Sequence, residues 1–122
     1  MLIFDLAHGA EFIAGDGSRL RELFHPDKAA LQLHYSLAHA QVSPGEKTLP
    51  HRLRSAEVYY ILSGQAVMHI DRESAAVHAG CAVYIPPGAV QYLENTGTST
   101  LQFLCIVDPP WRAEDEEVFP EA

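Results

Sequence analysis

The sequence predicts an all-β fold, an antiparallel sandwich or barrel built from short strands. Several segments alternate apolar and polar side chains, which is the period of a half-buried strand. Beyond Pro44-Gly45, turn signals recur roughly every eight residues, and no window longer than a turn or two has helical periodicity. Strands this short, with turns this frequent, are typical of sandwiches and barrels.

The N-terminal part is expected to contribute four strands. Residues 2–6 and 11–14 are predicted as short edge strands, and Gly15-Asp16-Gly17 as a tight turn, because glycine supplies the positive φ angles that such a turn needs. Residues 19–25 alternate and end before a proline, which cannot continue a strand ladder. Residues 31–37 place an apolar or aromatic side chain at every second position, which predicts another half-buried strand.

The last predicted strand has apolar residues at alternate positions from 101 to 107 and is stopped by Asp108-Pro109-Pro110. The tail, residues 111–122, differs in composition because it holds an acidic run. It is predicted either as a solvated terminal segment, or as a segment that Trp111 and Phe119 anchor across the barrel or onto a second subunit. The whole chain, 1–122, is predicted to form a single domain.

Charge and composition exclude several kinds of partner. The net charge is −8, and Arg52 and Arg54 are the nearest approach to a basic cluster, which argues against nucleic acid and anionic membranes as partners. The N-terminus lacks the basic region of a signal peptide, and no apolar run is long enough to span a bilayer. We therefore expect a cytoplasmic protein in which Cys81 and Cys105 are reduced and buried.

Two stretches hold the residues with chemical potential. The first, 45–64, contains His51 and Glu57 on adjoining predicted strands, and the second is 80–95. A histidine and a carboxylate in this relation can hold a divalent metal or act as a proton-transfer pair. Because side chains alternate along a strand, His51 and Leu53 share one face, and Gln91 shares its face with the residue two positions later.

These stretches resemble the two motifs of the cupins, which are small double-stranded β-helix, or jelly-roll, barrels. The first motif has glycine, histidine, histidine, glutamate and glycine, and this chain matches it at every position except Leu53, where the second histidine belongs. The second has glycine, proline, glycine, histidine and asparagine, and this chain matches it except at Gln91, where the histidine belongs. The matching positions are Gly45, His51, Glu57, Gly64, Gly80, Pro86, Gly88 and Asn95.

The resemblance implies a jelly-roll cupin barrel with a reduced metal site. The full site of the family holds Mn, Fe, Co, Ni or Zn with three histidines and one glutamate. Carried over to this chain, it leaves His51 and Glu57 as ligands, with Gln91 as a weaker, neutral oxygen donor, while Leu53 cannot bind a metal. His51 and Glu57 are also the predicted catalytic residues.

Several other residues are weaker candidates. His34 and His69 fall on the polar faces of their segments and are expected at the surface or at a subunit contact. His39 and Tyr59 are in phase with the cavity side, and Lys47 is expected near the barrel mouth, where it would attract an anionic substrate.

Three functions remain open at the level of sequence. The first is a metalloenzyme similar to cupin dioxygenases, decarboxylases or isomerases, in which the ion acts as a Lewis acid on a small carbonyl, carboxylate or sugar-like substrate. The second is a metal-free enzyme in which His51 and Glu57 act as base and orienting carboxylate, as in epimerases with this barrel. The third is a non-catalytic module that binds a small molecule. A homodimer with N-terminal strands at the interface is also predicted, because small jelly rolls leave strand edges to be covered.

Overall fold

The computed structural model describes residues 1–120, and its regular structure consists of antiparallel strands with two short 3₁₀ helices. The predicted all-β architecture of short antiparallel strands is confirmed. The 3₁₀ helices are Leu6–His8 and Ala113–Asp115. The strands of the described chain are β1 (Phe12–Ile13), β2 (Arg19–Phe24), β3 (Ser36–Val42), β4 (His51–Leu53), β5 (Ala56–Ser63), β6 (Gln65–Ile70), β7 (Glu73–His78), β8 (Ala82–Ile85), β9 (Gln91–Asn95), β10 (Leu101–Asp108) and β11 (Glu116–Val118).

Two sheets face each other across the interior. One has the strand order β1-β2-β3-β10-β5-β8, and the other has the order β11-β4-β9-β6-β7. The alternation predicted for the last strand is confirmed, since residues 101, 103, 105 and 107 of β10 are buried and the residues between them are more exposed. Burial on one side of each strand explains why the period of two is so clear in the sequence.

The inward-facing side chains of β10 and β5 belong to the apolar core in one part of each strand and line a cavity in another. On β10, Leu101 and Phe103 belong to the apolar core, whereas Val107 lines a cavity. On β5, Ile61 is in the core and Glu57 lines that cavity. The cavity is therefore a continuation of the core, with polar side chains such as Glu57 placed among apolar ones such as Val107.

Two predicted strands are corrected by the structure. Residues 2–6 form no strand. Instead, the Asp5 carboxylate accepts a hydrogen bond from Ala7 N at 3.0 Å and caps a 3₁₀ turn. Residues 31–35 also lie outside the strands, and β3 begins only at Ser36, whose partner on β10 is Val107. The partner strand ends just beyond that pair at a double proline, so an extended segment there has no ladder to join.

The C-terminal tail is part of the fold rather than a solvated segment. Its strand β11 pairs antiparallel with β4, and Val118 lies opposite His51. Of the two aromatic anchors considered from the sequence, Phe119 contacts the barrel, because the Arg52 guanidinium lies 5.6 Å from the centre of its ring, whereas the Trp111 indole donates to Glu116 of the tail itself. The end of the predicted tail, residues 121–122, lies outside the described residues. Among residues 1–120, no helix is long and apolar enough to cross a membrane.

Candidate functional site

A cavity of about 270 Å³ lies between the two sheets, and its wall includes His51, Glu57 and Tyr59. His51 comes from β4 in the five-stranded sheet, while the other two come from β5 in the six-stranded sheet. The fold thus brings both predicted catalytic side chains to one enclosed space. Their burial is nearly complete, with 3% of His51 and 5% of Glu57 exposed.

A backbone carbonyl just before β4 holds the neutral His51 ring in one tautomer. Its Nδ1 lies 3.1 Å from the carbonyl oxygen of Leu49, two residues earlier. A carbonyl oxygen only accepts, so Nδ1 carries the proton of the neutral ring and Nε2 carries the lone pair. The nearest acidic oxygen to Nε2 is Asp16 Oδ2 at 4.0 Å, which is too long for a hydrogen bond. Nε2 is therefore able to accept a proton or bind a cation.

Gln91 contacts Glu57 but is not part of the cavity wall. Gln91 is the cross-strand partner of His51 and is fully buried. Its Nε2 donates a hydrogen bond to Glu57 Oε1 at 2.8 Å, while its Oε1 is buried without a partner in the described part of the chain. Gln91 thus lies opposite His51 on the neighbouring strand and contacts Glu57 through its side chain, with its amide nitrogen directed at the carboxyl group.

Glu57 is expected to hold a proton at neutral pH. Burial raises its pKa to about 8, against the opposing effect of the Gln91 hydrogen bond, and the negative charges of Asp16 and Glu116 raise it further. The cause is that burial penalises the charged form, and no cation compensates for it. Burial likewise keeps the pKa of the Tyr59 phenol above its usual value, so the wall here presents neutral groups.

Asp16 and Glu116 are site residues that the sequence did not reveal. Asp16 appeared only as the middle of a turn, and Glu116 as one member of an acidic run, but both line the cavity. The turn is placed by its backbone, because the Asp16 carbonyl accepts a hydrogen bond from Leu49 N at 2.7 Å. Glu116 arrives on β11, whose pairing with β4 had no signal in the sequence. An acidic residue between two glycines was the single hint available.

Of the weaker candidates, Tyr59 lines the cavity, whereas the three histidines lie away from it. His39 is buried but interacts with Gln102 at 3.2 Å, and burial lowers its pKa. His69 stacks on Tyr92 and lies 2.7 Å from a Glu94 oxygen. His34 is exposed, as predicted.

The charged candidates are also at the surface, and one cysteine prediction is corrected. Lys47, Arg52 and Arg54 are exposed, and none of the three lines the cavity. Cys105 is buried on the cavity wall, and burial raises the pKa of its thiol. Cys81, predicted to be buried, is only half-buried because it follows a turn beside β8. Both cysteines are free thiols.

The donor groups do not fit a divalent metal as they stand. Among residues 1–120, no group of three or more His, Cys, Asp and Glu side chains is arranged to hold a metal ion. Gln91 would have to bind through its oxygen, but it presents its NH₂ group to Glu57. Leu53, at the position where the resemblance places a second histidine, lies on the wall as a buried apolar side chain.

Comparison with known proteins places this barrel in a family. A family model described as a cupin domain matches residues 38–107, more than half of the chain. The chain is 44% identical over 110 residues to the uncharacterized protein MJ1618 of Methanocaldococcus jannaschii, covering 88% of this chain and 86% of that protein. It is also 31% identical over 71 residues to an oxalate-binding protein of Thermotoga maritima, covering 57% of this chain and 59% of that one.

A solved structure gives the same result at the level of the fold. The crystal structure of a predicted oxalate decarboxylase from Thermotoga maritima superimposes with a TM-score of 0.78 at 22% identity, covering 88% of this chain and 99% of that one. Identity at this level is evidence for the shared fold alone. With the family model and the relative at 44% identity, it establishes that this chain belongs to the cupin superfamily.

Proposed function

We propose that this cupin carries out redox-neutral acid–base chemistry on a small molecule, with His51 as the base and Glu57 as the acid. The observation that supports it is that the two side chains line one cavity in complementary states. His51 offers a lone pair at Nε2, whereas Glu57 holds a proton at neutral pH. Environments that separate a base from an acid in this way are typical of proton-transfer sites.

The chemistry that suits this pair is isomerisation or epimerisation next to a carbonyl group. His51 Nε2 takes the proton from the carbon beside the carbonyl, and the electrons of the C–H bond move onto the carbonyl oxygen. That oxygen takes the proton of Glu57, which gives a neutral enol and a carboxylate. The protonated His51 then returns its proton in one of two ways. It protonates the neighbouring carbon while the hydroxyl of the first carbon gives its proton to Glu57 and becomes the new carbonyl, or the enol turns over in the cavity, so that the first carbon is protonated on its other face and the enol proton returns to Glu57. Both routes restore the two residues. The buried, neutral acid stabilises charge where it develops on oxygen.

This refines the arrangement expected from the sequence. There, Glu57 was expected to orient the histidine. Here, the contact to His51 Nδ1 comes from the Leu49 carbonyl, and Glu57 is hydrogen-bonded to Gln91. The carboxyl group is therefore assigned the role of acid, and orientation of the ring falls to the backbone.

Solvent exchange tests the proposal whichever product the reaction forms. The protein is incubated in D₂O with small hydroxy-carbonyl compounds, sugars and amino sugars, and NMR follows deuterium entering the C–H position next to the carbonyl. Catalysed exchange in at least one compound is expected, and His51→Gln should reduce its rate by about a hundredfold or more. Arg54→Gln, an exposed position, serves as the control. Exchange that proceeds equally well in His51→Gln would refute the assignment.

A metal-dependent reaction is the second candidate. The observation that favours it is the buried Gln91 Oε1, which has no partner in residues 1–120. If the amide turned over, this oxygen would join His51 and Glu57 as the third donor, and a bound ion would supply Lewis-acid polarisation of a carbonyl or carboxylate. Oxalate, which appears in the names of an oxalate-binding protein and a predicted oxalate decarboxylase of Thermotoga maritima, is a substrate or ligand of that type.

Metal titration separates the two candidates. Under the acid–base proposal, exchange activity survives exhaustive chelation. Under the metal candidate, it is lost and returns with one of Mn, Fe, Co, Ni or Zn. The double variant Leu53→His and Gln91→His should bind Co²⁺ more tightly than the natural chain in either case, because two imidazoles are added to the ligand set. A barrel that binds a ligand yet exchanges no proton under any of these conditions would be a non-catalytic binding module.

We also propose a homodimer that covers the N-terminal edge. The short strand β1 ends the six-stranded sheet. Apolar side chains near it are exposed to solvent, namely Leu2, Ile3, Phe4, Phe12 and Ile13. An uncovered sheet edge beside apolar surface favours pairing with a second copy. Light scattering should give twice the mass of the chain at micromolar concentration, and a monomer would contradict this. The cytoplasmic location and the absence of nucleic-acid and membrane partners stay predictions from sequence.

A further inference from the structure

We propose that the ligand of this cavity carries a positive charge, and that a small amine or quaternary ammonium group binds between Asp16 and Glu116 beside the Trp111 ring. This inference rests on the proposed function, because it assigns the substrate class of the same cavity. It is carried by two carboxylates that line the wall, each fixed through one oxygen and open at the other.

Asp16 is the more buried of the two. Its Oδ1 accepts hydrogen bonds from Ser18 N at 3.0 Å and from Ser18 Oγ at 2.7 Å, which fixes the side chain within its own turn. Its Oδ2 has no hydrogen bond in the described chain, and its nearest ionisable neighbour is His51 Nε2 at 4.0 Å. Only 11% of the Asp16 side chain is exposed, so solvent gives Oδ2 little compensation.

Glu116 reaches the cavity because residue 15 is a glycine. Its Oε2 accepts a hydrogen bond from the Trp111 indole at 3.1 Å, which holds the carboxylate and the ring together. Its Oε1 lies directly over Gly15, and a Cβ there would stand 2.5 Å from that oxygen. The missing side chain thus allows the second carboxylate to approach the turn that carries Asp16.

The positive charges of the wall do not balance these two groups. Lys28 is largely exposed, and its ammonium group is already 2.7 Å from Glu22. The wall, as the described residues form it, contains no arginine. His51 Nε2 lies 4.0 Å from Asp16 Oδ2, which is too far for a hydrogen bond. A cation would relieve the repulsion between the two carboxylates, whereas an anion would add to it.

Trp111 completes the recognition of a cation. The indole is part of the cavity wall and is 37% exposed, so one of its surfaces is open to a ligand. The face of an aromatic ring attracts ammonium and quaternary ammonium groups, and tryptophan does so most strongly. The two carboxylates and the indole line the same cavity, with the indole N–H bonded to Glu116, and this combination of charge and aromatic surface favours an amine.

The chain provides its own reporter, because Trp111 is its one tryptophan. We would titrate the protein with choline and ethanolamine, with their uncharged carbon analogues, and with oxalate as the anion, following both the fluorescence of Trp111 and the heat of binding. At least one cation should bind at least about tenfold more tightly than its uncharged analogue, since a charge-assisted contact is worth that much. If neither cation binds more tightly than its analogue, or if oxalate binds more tightly than both, the inference is overturned.

Two isosteric variants test whether the carboxylates of Asp16 and Glu116 cause the preference for cations. Asp16→Asn and Glu116→Gln keep the acceptor oxygens for Ser18 and Trp111 but remove the charge, so each should weaken cation binding about tenfold and leave the uncharged analogue unchanged. Glu114→Gln, an exposed position in the same tail, is the matched control and should bind as the natural chain does. Unchanged cation affinity in both site variants, each with the melting temperature of the natural chain, would overturn the inference.

The outcome is separable from that of the proposed function. His51→Gln should abolish proton exchange yet leave cation binding intact, because neither charge of the site is altered. Cation binding without exchange in any compound would refute the acid–base proposal alone. Exchange in uncharged compounds together with no preference for cations would refute the present inference alone.

Discussion

The substitution Glu57→Gln is expected to remove most of the dependence of stability on pH in the neutral range. In the folded chain, burial raises the pKa of Glu57 to about 8, while the ordinary value is 4.5. The carboxyl group is almost completely buried, so water does not screen this effect. Glutamine has nearly the same shape and can still accept the hydrogen bond from Gln91, but it carries no titrating proton.

The sign follows from proton binding in the two states. Between about pH 4.5 and pH 8 the folded state keeps the Glu57 proton and the unfolded state loses it, so the free energy of unfolding falls as the pH rises. The slope approaches about 1.4 kcal/mol per pH unit, and the full difference is about 5 kcal/mol. That is a large share of the roughly 5–15 kcal/mol that stabilises an ordinary domain.

Urea unfolding at a series of pH values from about 5 to 9 measures the effect. The difference in unfolding free energy between Glu57→Gln and the natural chain should increase steadily in favour of the variant and level off above the pKa. Glu73→Gln removes an exposed carboxyl from β7 and serves as the control, with a curve parallel to that of the natural chain. If the Glu57→Gln curve is also parallel, Glu57 is ionised throughout, and both the assigned acid and the argument from burial are wrong.

Two further predictions concern packing. Ellman's reagent should modify one thiol in the folded chain and two in denaturant, because Cys105 is buried with a raised thiol pKa whereas Cys81 is half-buried; rapid reaction of both would contradict the packing around β10. Gly88→Ala should cost about 1–2 kcal/mol in urea unfolding, since its φ is +82° and its surroundings are open. Gly64→Ala should cost more, because its φ is +96° and the new Cβ would stand 3.1 Å from Leu101 Cα; equal costs would contradict the crowding.

The parts of the fold that could be predicted are those in which a local rule and the tertiary structure agree. The alternation on β10 is visible in the sequence because one face of that strand is buried along its whole length. Asn95, the asparagine of the second motif, helped to predict the fold for a related reason. Asn95 donates from its side chain to the carbonyls of Val42 and Ser99, both at 2.9 Å, and so ties β9 to its neighbours. A side chain that must bond to particular backbone groups occupies a fixed position, so its spacing from the other motif residues can be recognised in the sequence.

The parts that could not be predicted depend on contacts with segments of the chain that are distant in the sequence. Residues 31–35 keep a partial alternation of exposure, yet they form no strand because β10 ends at the prolines. The same limit applies to the site. Asp16 and Glu116 are a hundred residues apart in the chain, and only the pairing of β11 with β4 brings them to one wall. His51 and Glu57 were found because they lie within one short motif.

The two departures from the cupin metal motif have a consequence beyond the loss of ligands. At both positions the motif has a histidine, which can carry a positive charge, whereas Leu53 on the cavity wall and Gln91 in contact with Glu57 carry none. Glu57 is thereby left buried, near two other carboxylates, with a single neutral donor to support its charged form. Under those conditions the carboxyl group is more stable with a proton than without one. The two departures that remove histidine ligands from this site are therefore also the ones that favour a proton on Glu57.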